Sequence, residues 1–238
     1  IQEAILPRIE EINRAFPDNF ILYKPRDIVS GDFYWFARRE GRAVLAVVDC
    51  TGHGVPGAFM SVMGHSLLNQ IVNGQEIVEP GHILTRLNDE VRRMLKQMQS
   101  DSESRDGMDV GLISVDLTNR VIEYAGANRP LFLAQGGRVE TLQADRYPIG
   151  GVYTPEHYTT QALRWSPGMT LYLTTDGYAD QFGGPQRRKF LNRRFQELLQ
   201  HTAHLPLAQQ QTALETAFDD WKGDNRQLDD ILVIGLRL

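Results

Sequence analysis

The sequence predicts an α+β fold in which two packed β-sheets are flanked by helices. Three observations lead to this expectation. Many short apolar stretches with the pattern of strands are spread along the 238 residues. Short turns such as Glu40-Gly41 and Gly136-Gly137 connect neighbouring stretches, as expected for hairpins. Segments with helical spacing occur in pairs in both halves of the chain.

Composition limits the classes of protein to which the chain can belong. A hydrophobic content of 42% is sufficient to bury the core of one domain. The formal charge of −5 argues against a nucleic-acid partner, which normally requires a basic face. A single cysteine excludes an internal disulfide framework and a cysteine-rich zinc site. No apolar stretch approaches the roughly 20 residues that cross a bilayer, and no signal peptide is visible. The chain begins with Ile1, so we expect it to be a piece of a longer protein.

The first sixteen residues have apolar side chains at helical spacing, and Pro7 should kink or restart that helix. One interpretation is a helix that packs on the core of the domain. The other is the end of a signalling or dimerisation helix that descends from a sensor region. We therefore divide the chain into a linker helix, residues 1–16, and one domain, residues 17–238.

The elements of the domain follow in order along the sequence. Strands are predicted at 20–24, 32–39, 42–49, 110–116, 121–124, 131–134, 138–142, 158–163, 169–174 and 231–238. Helices are predicted at 58–72, 80–98, 187–200 and 207–221. The polar stretch 97–106 is either an ordinary exposed connection or an ordered flap that binds a metal ion or a partner.

Four acidic motifs lie where a strand ends or a turn begins. A carboxylate at the edge of an apolar strand is costly to desolvate unless a cation or a hydrogen-bond donor meets it. Oxygen ligands of this kind suit hard divalent ions, and together they favour a centre of two Mg²⁺ or Mn²⁺ ions. The motifs are Ser30-Gly31-Asp32, Val47-Val48-Asp49, Thr174-Thr175-Asp176-Gly177 and Leu228-Asp229-Asp230-Ile231.

Each acidic motif also has a structural interpretation. Asp49 could cap the following helix, although a helix that begins near residue 58 is too far away for a simple N-cap. Asp176-Gly177 is a common turn dipeptide. The adjacent Asp229 and Asp230 repel each other, so we expect one to bind a cation and the other to accept hydrogen bonds. The backbone carbonyl of Cys50 could join the ligands, because hard cations accept amide oxygens.

Other residues are weaker candidates. His53, in the glycine-rich loop after Asp49, could donate a proton to a leaving group or be a hydrogen-bonded loop residue. Asp106 and Asp109 could hold a further ion. Cys50 has no His or Asn partner nearby in the sequence that would make it a catalytic thiol. Arg26 could help to bind phosphate, but a surface role is the simpler interpretation.

In this order the motifs resemble the metal-dependent protein phosphatases (PPM, type 2C), and within them the bacterial SpoIIE/RsbU branch. The resemblance covers about residues 20–238. It is carried by Lys24-Pro-Arg-Asp-Ile-Val-Ser-Gly-Asp-Phe-Tyr-Trp, Val48-Asp-Cys-Thr-Gly-His-Gly-Val-Pro-Gly-Ala-Phe-Met-Ser, Tyr124-Ala-Gly-Ala-Asn-Arg-Pro, Thr175-Asp-Gly-Tyr-Ala-Asp and Leu228-Asp-Asp-Ile. The glycine-loop segment and Arg105-Asp-Gly-Met-Asp-Val-Gly-Leu are most similar to the membrane-anchored SiaA type.

The resemblance implies an αββα sandwich with two metal ions at one edge. Asp49 would bridge the ions, with the Cys50 carbonyl and Asp32 at the first and Asp176 and Asp229 at the second. A water molecule that bridges the ions would attack phosphoserine or phosphothreonine directly. Two departures from the family pattern stand out: Cys50 replaces a glycine, and no clear replacement is visible for the phosphate-binding arginine of eukaryotic members.

The resemblance also implies a biological setting. Members of the branch lie behind sensory modules and dephosphorylate a small STAS-domain protein, an anti-sigma-factor antagonist or a relative of one. Two helices after the glycine loop, here 58–72 and 80–98, act as a switch. The chain would then be a cytoplasmic output domain, attached to the inner membrane only through a missing N-terminal region, and residues 1–16 could form a homodimer.

Two other hypotheses remain open at this point. The chain could be a catalytically degenerate module that binds a phosphoprotein without turnover, although no acidic position is missing. It could also be a different two-metal enzyme such as a nucleotidyl cyclase. The absence of a basic, glycine-rich triphosphate-binding loop from the sequence counts against that hypothesis.

Overall fold

The computed structural model describes residues 2–98, 104–153 and 155–238. In this part of the chain, thirteen strands and seven α-helices follow one another. The strands are β1 (Asn19–Lys24), β2 (Phe33–Arg39), β3 (Arg42–Cys50), β4 (Gly107–Asp116), β5 (Val121–Ala127), β6 (Leu131–Gln135), β7 (Arg138–Leu142), β8 (Ile149–Gly150), β9 (Gln161–Arg164), β10 (Thr170–Thr174), β11 (Phe182–Gly183), β12 (Arg188–Lys189) and β13 (Ile231–Arg237). The helices are α1 (Gln2–Ile5), α2 (Ile9–Ala15), α3 (Gly54–Leu68), α4 (Pro80–Met94), α5 (Gly177–Asp180), α6 (Asn192–Thr202) and α7 (Leu207–Lys222).

Two large antiparallel sheets form the centre of the molecule. The first has the strand order β2-β3-β4-β5-β9, and β8 pairs with β4 outside this path. The second has the order β1-β13-β10-β6-β7. Helices α3 and α4 cover the first sheet, and α6 and α7 cover the second. The order helix, sheet, sheet, helix confirms the predicted αββα sandwich.

Alternation along the central strands builds the layers of the sandwich. In β3, Leu45 and Val47 point into the core between the sheets, whereas Ala46 and Val48 pack beneath the helices. Side chains of β10 and β13, such as Leu173 and Ile234, meet that core from the second sheet. Asp49, two positions after Val47, therefore lies on the inter-sheet face, at the edge of the sandwich.

The tight hairpins form where the sequence predicts them. Glu40 and Gly41, between β2 and β3, have φ angles of 51° and 77°. Gly136 and Gly137, between β6 and β7, have φ angles of 57° and 77°. Positive φ at both central residues is the mark of the type I′ turn, whose twist matches that of the strands it joins.

Several predicted boundaries are wrong. The helix predicted at 187–200 is α6, which begins only at Asn192, after the short strand β12. Helix α3 begins at Gly54 rather than near residue 58, because Pro56 is tolerated in a first helical turn, where an N–H group has no partner. This helix runs into a π-helical turn, Asn69–Gly74.

Helix α4 ends at Met94, before the predicted boundary at residue 98. The strand predicted at 158–163 is shorter, because the N–H groups of Tyr158 and Thr159 donate to the side chains of Thr85 and Asp145 rather than to a neighbouring strand.

The N-terminal segment is divided at Pro7, as predicted, into α1 and α2. Ile12 and Phe16 are buried in the core between the sheets. The side chain of Gln2 bonds to the backbone of Ser30 and to the hydroxyl of Ser61 in α3. Of the predicted loop 97–106, residues 99–103 lie outside the described part of the chain. No described helix is long and apolar enough to cross a membrane.

Candidate active site at the acidic edge of the sandwich

A cleft of roughly 320 Å³ opens at the edge where the central strands of both sheets end. The two sheets bring to it acidic residues that are far apart in the sequence. Asp49 lies near the end of β3, Asp109 near the start of β4, Asp176 two residues after β10, and Asp229 just before β13. The residues that line the cleft are Asp49, Cys50, Thr51, Gly52, His53, Met108, Asp109, Pro148, Asp176 and Asp229.

Asp49 and Asp109 lie directly opposite each other. They are paired in the register of β3 and β4, and both follow the inter-sheet face of their strands. Like charges in opposed positions destabilise a sheet unless a cation lies between them. The register of the first sheet therefore creates a place for positive charge at this edge.

Asp176 reaches the cleft through a tight approach of two chain segments. It precedes α5, and its side chain caps no backbone N–H of that helix. A Cβ atom at the next residue, Gly177, would overlap the carbonyl of Asp230 and lie 3.3 Å from the Cβ of Asp229. Glycine is thus required for the turn after β10 to lie against the segment before β13.

Asp229 and Asp230 have different surroundings although they are adjacent. Asp230 is 2% exposed, and its two carboxylate oxygens accept hydrogen bonds from the backbone N–H groups of Arg26, at 2.7 Å, and Gly31, at 2.8 Å. Asp229 lines the cleft, and its Oδ1 atom accepts a hydrogen bond from the backbone N–H of Asp230 at 2.9 Å. Asp230 therefore fixes the loop before β2 with both of its oxygens, whereas Asp229 contributes its carboxylate to the lining of the cleft.

Asp32 lies behind the lining of the cleft and is 3% exposed. Its Oδ2 atom has no hydrogen-bond partner among the described residues. Burial, together with the charge of Asp49, raises the pKa of Asp32 well above its usual range. A buried carboxylate oxygen without a donor is costly, and a nearby cation would remove that cost.

The crowding of carboxylates changes the protonation of the site. Burial raises the pKa of Asp49 to about 8, and the charge of Asp176 adds to the effect while Arg129 opposes it. Burial also raises the pKa of Asp229, and the charges of Asp176 and Asp230 contribute. These carboxylates are held close to one another in a partly desolvated edge, which is the arrangement that a divalent cation stabilises.

Arg129 is the residue of this site that sequence reasoning missed. Its Nη2 atom lies 2.6 Å from Asp109 Oδ2 and 3.0 Å from Asp176 Oδ2. The sequence shows no clear replacement for the phosphate-binding arginine of eukaryotic members, and it assigns no role to Arg129. Arg26, the arginine that we did consider, donates to the carbonyl of Leu228 and does not line the cleft.

His53 and Cys50 also lie at the cleft. The Nδ1 atom of His53 is 3.3 Å from Asp27 Oδ2, and the imidazole is about half exposed. Cys50 ends β3 in ordinary strand geometry, without a positive φ, so a non-glycine residue fits this position without backbone strain. Its side chain is buried, and burial raises the pKa of the thiol.

Asp106 and Asp109 have different hydrogen-bond partners. The carboxylate of Asp106 accepts hydrogen bonds from the hydroxyls of Thr51 and Ser104. The carboxylate of Asp109 is bound by Asn128 and Arg129. The two acids predicted as a possible further ion site are thus engaged by different partners.

The donor set fits divalent metal ions. It consists of carboxylate oxygens from four separate segments that line the cleft and of the unpartnered buried oxygen of Asp32. Cys50, whose backbone carbonyl is the predicted further ligand, also lines the cleft. Hard cations such as Mg²⁺ and Mn²⁺ prefer such oxygen donors. Within the described residues, no three His, Cys, Asp or Glu side chains already form a closed ligand cluster. The carboxylates of Asp109 and Asp176 converge on the guanidinium of Arg129 instead.

Comparison with known proteins agrees with this fold and site. The sequence matches the family of Stage II sporulation protein E (SpoIIE) over residues 39–238. A search of the curated proteins gave no match. The SiaA-PP2C domain of Pseudomonas aeruginosa has a TM-score of 0.90 and 34% sequence identity, over 100% of this chain and 92% of that chain.

Two further structures share the fold at lower identity. The PP2C phosphatase domain with a fragment of the regulatory domain of SpoIIE from Bacillus subtilis has a TM-score of 0.74 at 17% identity. That match covers 93% of this chain and 63% of the other. RsbX in complex with magnesium has a TM-score of 0.62 at 16% identity, over 92% of this chain and 94% of that chain.

The sandwich and the acidic cleft together define a PP2C-type serine/threonine phosphatase domain, a class of metal-dependent enzymes. The chain belongs to the SpoIIE family. Its domain is thus of the SpoIIE/RsbU kind, which confirms the family and the enzyme class predicted from the motifs.

Proposed function

We propose that this domain hydrolyses phosphoserine or phosphothreonine on a small regulatory protein of the STAS class, similar to an anti-sigma-factor antagonist. It would serve as the cytoplasmic output domain of a bacterial signalling protein. The observation that carries the proposal is the convergence of Asp49, Asp176 and Asp229 on one cleft at the edge of a PP2C-type sandwich. The formal charge of −5 gives no support for a nucleic-acid substrate.

Two Mg²⁺ or Mn²⁺ ions would be held by oxygen atoms of the chain. We assign Asp49 as the ligand shared by both ions, Asp32 and the Cys50 carbonyl to one side, and Asp176 and Asp229 to the other. When bound, such ions activate a water molecule for direct attack on phosphorus and offset the charge of the phosphoryl group. The unpartnered oxygen of Asp32 and the raised pKa of Asp49 support this assignment.

The protein itself orients the groups around the reaction. Asp230 fixes the backbone of Arg26 and Gly31, and so holds the loop that carries Asp32 against the cleft. Gly177 lets the turn that carries Asp176 lie against Asp229 and Asp230, the segment before β13. Loops and turns that are fixed in this way need little rearrangement during reaction, which is how preorganised sites lower a barrier.

His53 is our candidate for the proton donor to the leaving serine or threonine oxygen. It lies on the lining of the cleft, and the contact between its Nδ1 atom and Asp27 orients the ring. A histidine held in this way can deliver a proton from its other nitrogen. Its half-exposed position at the rim is suited to a phosphorylated protein loop that enters from solvent.

The linker assignment is part of the same proposal. Residues 1–16 would transmit a signal or form a homodimer, and residues 17–238 would form the phosphatase domain. Gln2 bonds to Ser30, which precedes the Asp32 loop, and to Ser61 in α3. A displacement of α1 would therefore act on α3 and on the loop that leads to the metal-binding edge, while α2 stays packed through Ile12.

The first experiment measures phosphate release from an aryl phosphate and from a phosphoserine peptide, with Mn²⁺ or with EDTA. Wild-type protein should show metal-dependent release. Asp49→Asn should lower the rate by about a thousandfold or more, because it removes the ligand proposed to bind both ions. Asp89→Asn, the same change at an exposed position on α4, is the matched control and should keep the wild-type rate.

Two results would contradict the proposal. One is metal-dependent release in folded Asp49→Asn at the wild-type rate. The other is tight capture of a phosphorylated STAS-domain protein by wild type with no release of phosphate in any divalent metal, which would favour a binding module. Circular dichroism of each variant shows whether a variant that has lost activity is still folded.

A further inference from the structure

A cation of the chain itself lies among the acidic residues of the cleft. The side chain of Arg129 is only 15% exposed, and its Nη2 atom is 2.6 Å from Asp109 Oδ2 and 3.0 Å from Asp176 Oδ2. The same nitrogen is 3.8 Å from Asp49 Oδ2. One guanidinium thus lies within ion-pair distance of three carboxylates, and two of them are proposed metal ligands.

The contact between Arg129 and Asp109 is supported by several hydrogen bonds. Both Nε and Nη2 of Arg129 contact the same oxygen of Asp109, at 3.2 Å and 2.6 Å. The amide of Asn128 donates to the other oxygen of Asp109 at 2.8 Å. The hydroxyl of Tyr124 donates to the backbone carbonyl of Arg129 at 2.6 Å. These bonds fix the turn between β5 and β6 and hold the guanidinium at the edge of the cleft.

The contacts with Asp176 and Asp49 are of a different kind. A single nitrogen reaches Asp176, and Asp49 is reached only at 3.8 Å. Neither contact is reinforced by a second hydrogen bond from the guanidinium. Nη2 can therefore leave Asp176 by a small rotation at the end of the side chain while Nε stays on Asp109.

A divalent ion and the guanidinium make opposing demands on the same oxygens. An ion such as Mg²⁺ binds carboxylate oxygen at about 2.0–2.1 Å and demands a defined geometry. A guanidinium that bonds to the same carboxylate neutralises part of the carboxylate's charge and repels the ion. Each cation therefore weakens the binding of the other, and the size of the effect depends on the contacts that the displaced cation loses.

We propose that Arg129 is an internal competitor of the metal ions, which shares Asp49 and Asp176 with them and leaves Asp176 when the site is loaded. This inference rests on the proposed function, since it assumes that Asp49 and Asp176 are ligands. Its consequence is that Arg129 sets the ion concentration at which the cleft fills. Asp109 retains the guanidinium beside the loaded site, so the exchange is reversible.

The test is calorimetric titration of Mn²⁺ into EDTA-treated and dialysed domain, without any substrate. Arg129→Gln should bind Mn²⁺ about tenfold more tightly than wild type, a change that corresponds to about 1.4 kcal/mol. Arg129→Lys keeps the charge and should bind less tightly than Arg129→Gln. Arg193→Gln is the matched control, because it removes the same charge from an exposed side chain of α6 that pairs with Glu197. It should change the Kd by less than about threefold.

The proposal is overturned if Arg129→Gln unfolds cooperatively like wild type yet binds Mn²⁺ with equal or lower affinity. It is also overturned if Arg193→Gln tightens binding as much as Arg129→Gln, since net charge alone would then explain the effect. Should Arg129→Gln fail to fold, Arg129→Met, which keeps most of the aliphatic stem, carries the same expectation.

A titration of Asp49→Asn separates this proposal from the proposed function. If wild type and Asp49→Asn bind Mn²⁺ equally, the metal site itself is wrongly assigned. If wild type binds, Asp49→Asn does not, and Arg129→Gln is no tighter than wild type, the site stands and the competition by Arg129 is overturned.

Discussion

The two halves of the acidic edge satisfy their carboxylates in different ways. In the backbone-anchored half, Asp230 accepts hydrogen bonds from the N–H groups of Arg26 and Gly31. In the arginine-anchored half, which consists of Asp49, Asp109, Asp176 and Arg129, the positive partner is a side chain. Asp230 is 2% exposed, whereas the side chain of Asp176 is 39% exposed.

The difference shows which acids build the site and which are available to it. A backbone N–H cannot move away without distortion of the chain, so Asp230 is committed to structure. A guanidinium at the end of a long side chain can exchange its partners, so the carboxylates that it meets remain available to a cation. The same residue type thus has a structural role in one half and a proposed ligand role in the other.

After that of Asp49→Asn, the largest expected effect is that of Asp176→Asn in the arginine-anchored half. The change removes a proposed ligand charge and should lower metal-dependent phosphate release by about a hundredfold or more. In EDTA the free energy of unfolding should change by less than about 1 kcal/mol, because the loss of one partner of Arg129 is offset by weaker repulsion from Asp49. Urea unfolding in EDTA, measured beside the rate with Mn²⁺, gives both quantities.

Two outcomes would break the comparison at this position. A loss of several kcal/mol in EDTA would mean that Asp176 is as structural as Asp230. An unchanged rate in a stable variant would remove Asp176 from the site.

The next effect in size is that of Asp230→Asn in the backbone-anchored half. An amide nitrogen can accept no hydrogen bond, so either the partly buried N–H of Arg26 or the buried N–H of Gly31 would lose its partner. We expect a loss of about 2–3 kcal/mol in the free energy of unfolding, of similar size with Mn²⁺ and with EDTA. Asp229→Asn is the matched control at the adjacent position and should cost less than about 1 kcal/mol in EDTA.

Equal destabilisation by Asp229→Asn and Asp230→Asn would contradict the division of roles within this pair. So would a destabilisation by Asp230→Asn that appears only with Mn²⁺. Chemical denaturation followed by tryptophan fluorescence is suited to the measurement, since Trp35 is buried in the first sheet.

Local features of the fold could be predicted from the sequence because they depend on neighbouring residues. Glu40-Gly41 and Gly136-Gly137 specify their hairpins through positive φ, wherever the strands lie in the fold. Strand β3 is apolar from Ala43 to Val48, which identifies it as a central strand before any pairing is known. The edge position of Asp49 follows directly from that strand.

The position of Arg129 could not be predicted in the same way. Its approach to Asp176 depends on the pairing of β6 with β10, which brings two distant segments together. Its approach to Asp109 depends on the left-handed turn at Asn128, with φ of 60°. An Arg that follows Asn and precedes Pro130 in a short turn was the signal available in the sequence. A single sequence gives no reason to prefer this arginine to Arg26.

The smallest expected effect concerns Cys50, at the boundary between the two halves of the acidic edge. The Cys50 carbonyl lies 3.3 Å from where a Cβ of Gly31 would be, so the strand that carries Asp49 abuts the loop that Asp230 anchors. Cys50→Ala keeps the carbonyl and the strand geometry but removes a buried sulfur that packs beneath α3. We expect a loss of about 1 kcal/mol in the free energy of unfolding. The Kd for Mn²⁺ should stay within about threefold of wild type, because an amide oxygen donates equally well in either residue.

A large drop in Mn²⁺ affinity at unchanged stability would show instead that the thiol of Cys50 contributes to the site. Such a result would add the side chain of Cys50 to the proposed role of its carbonyl.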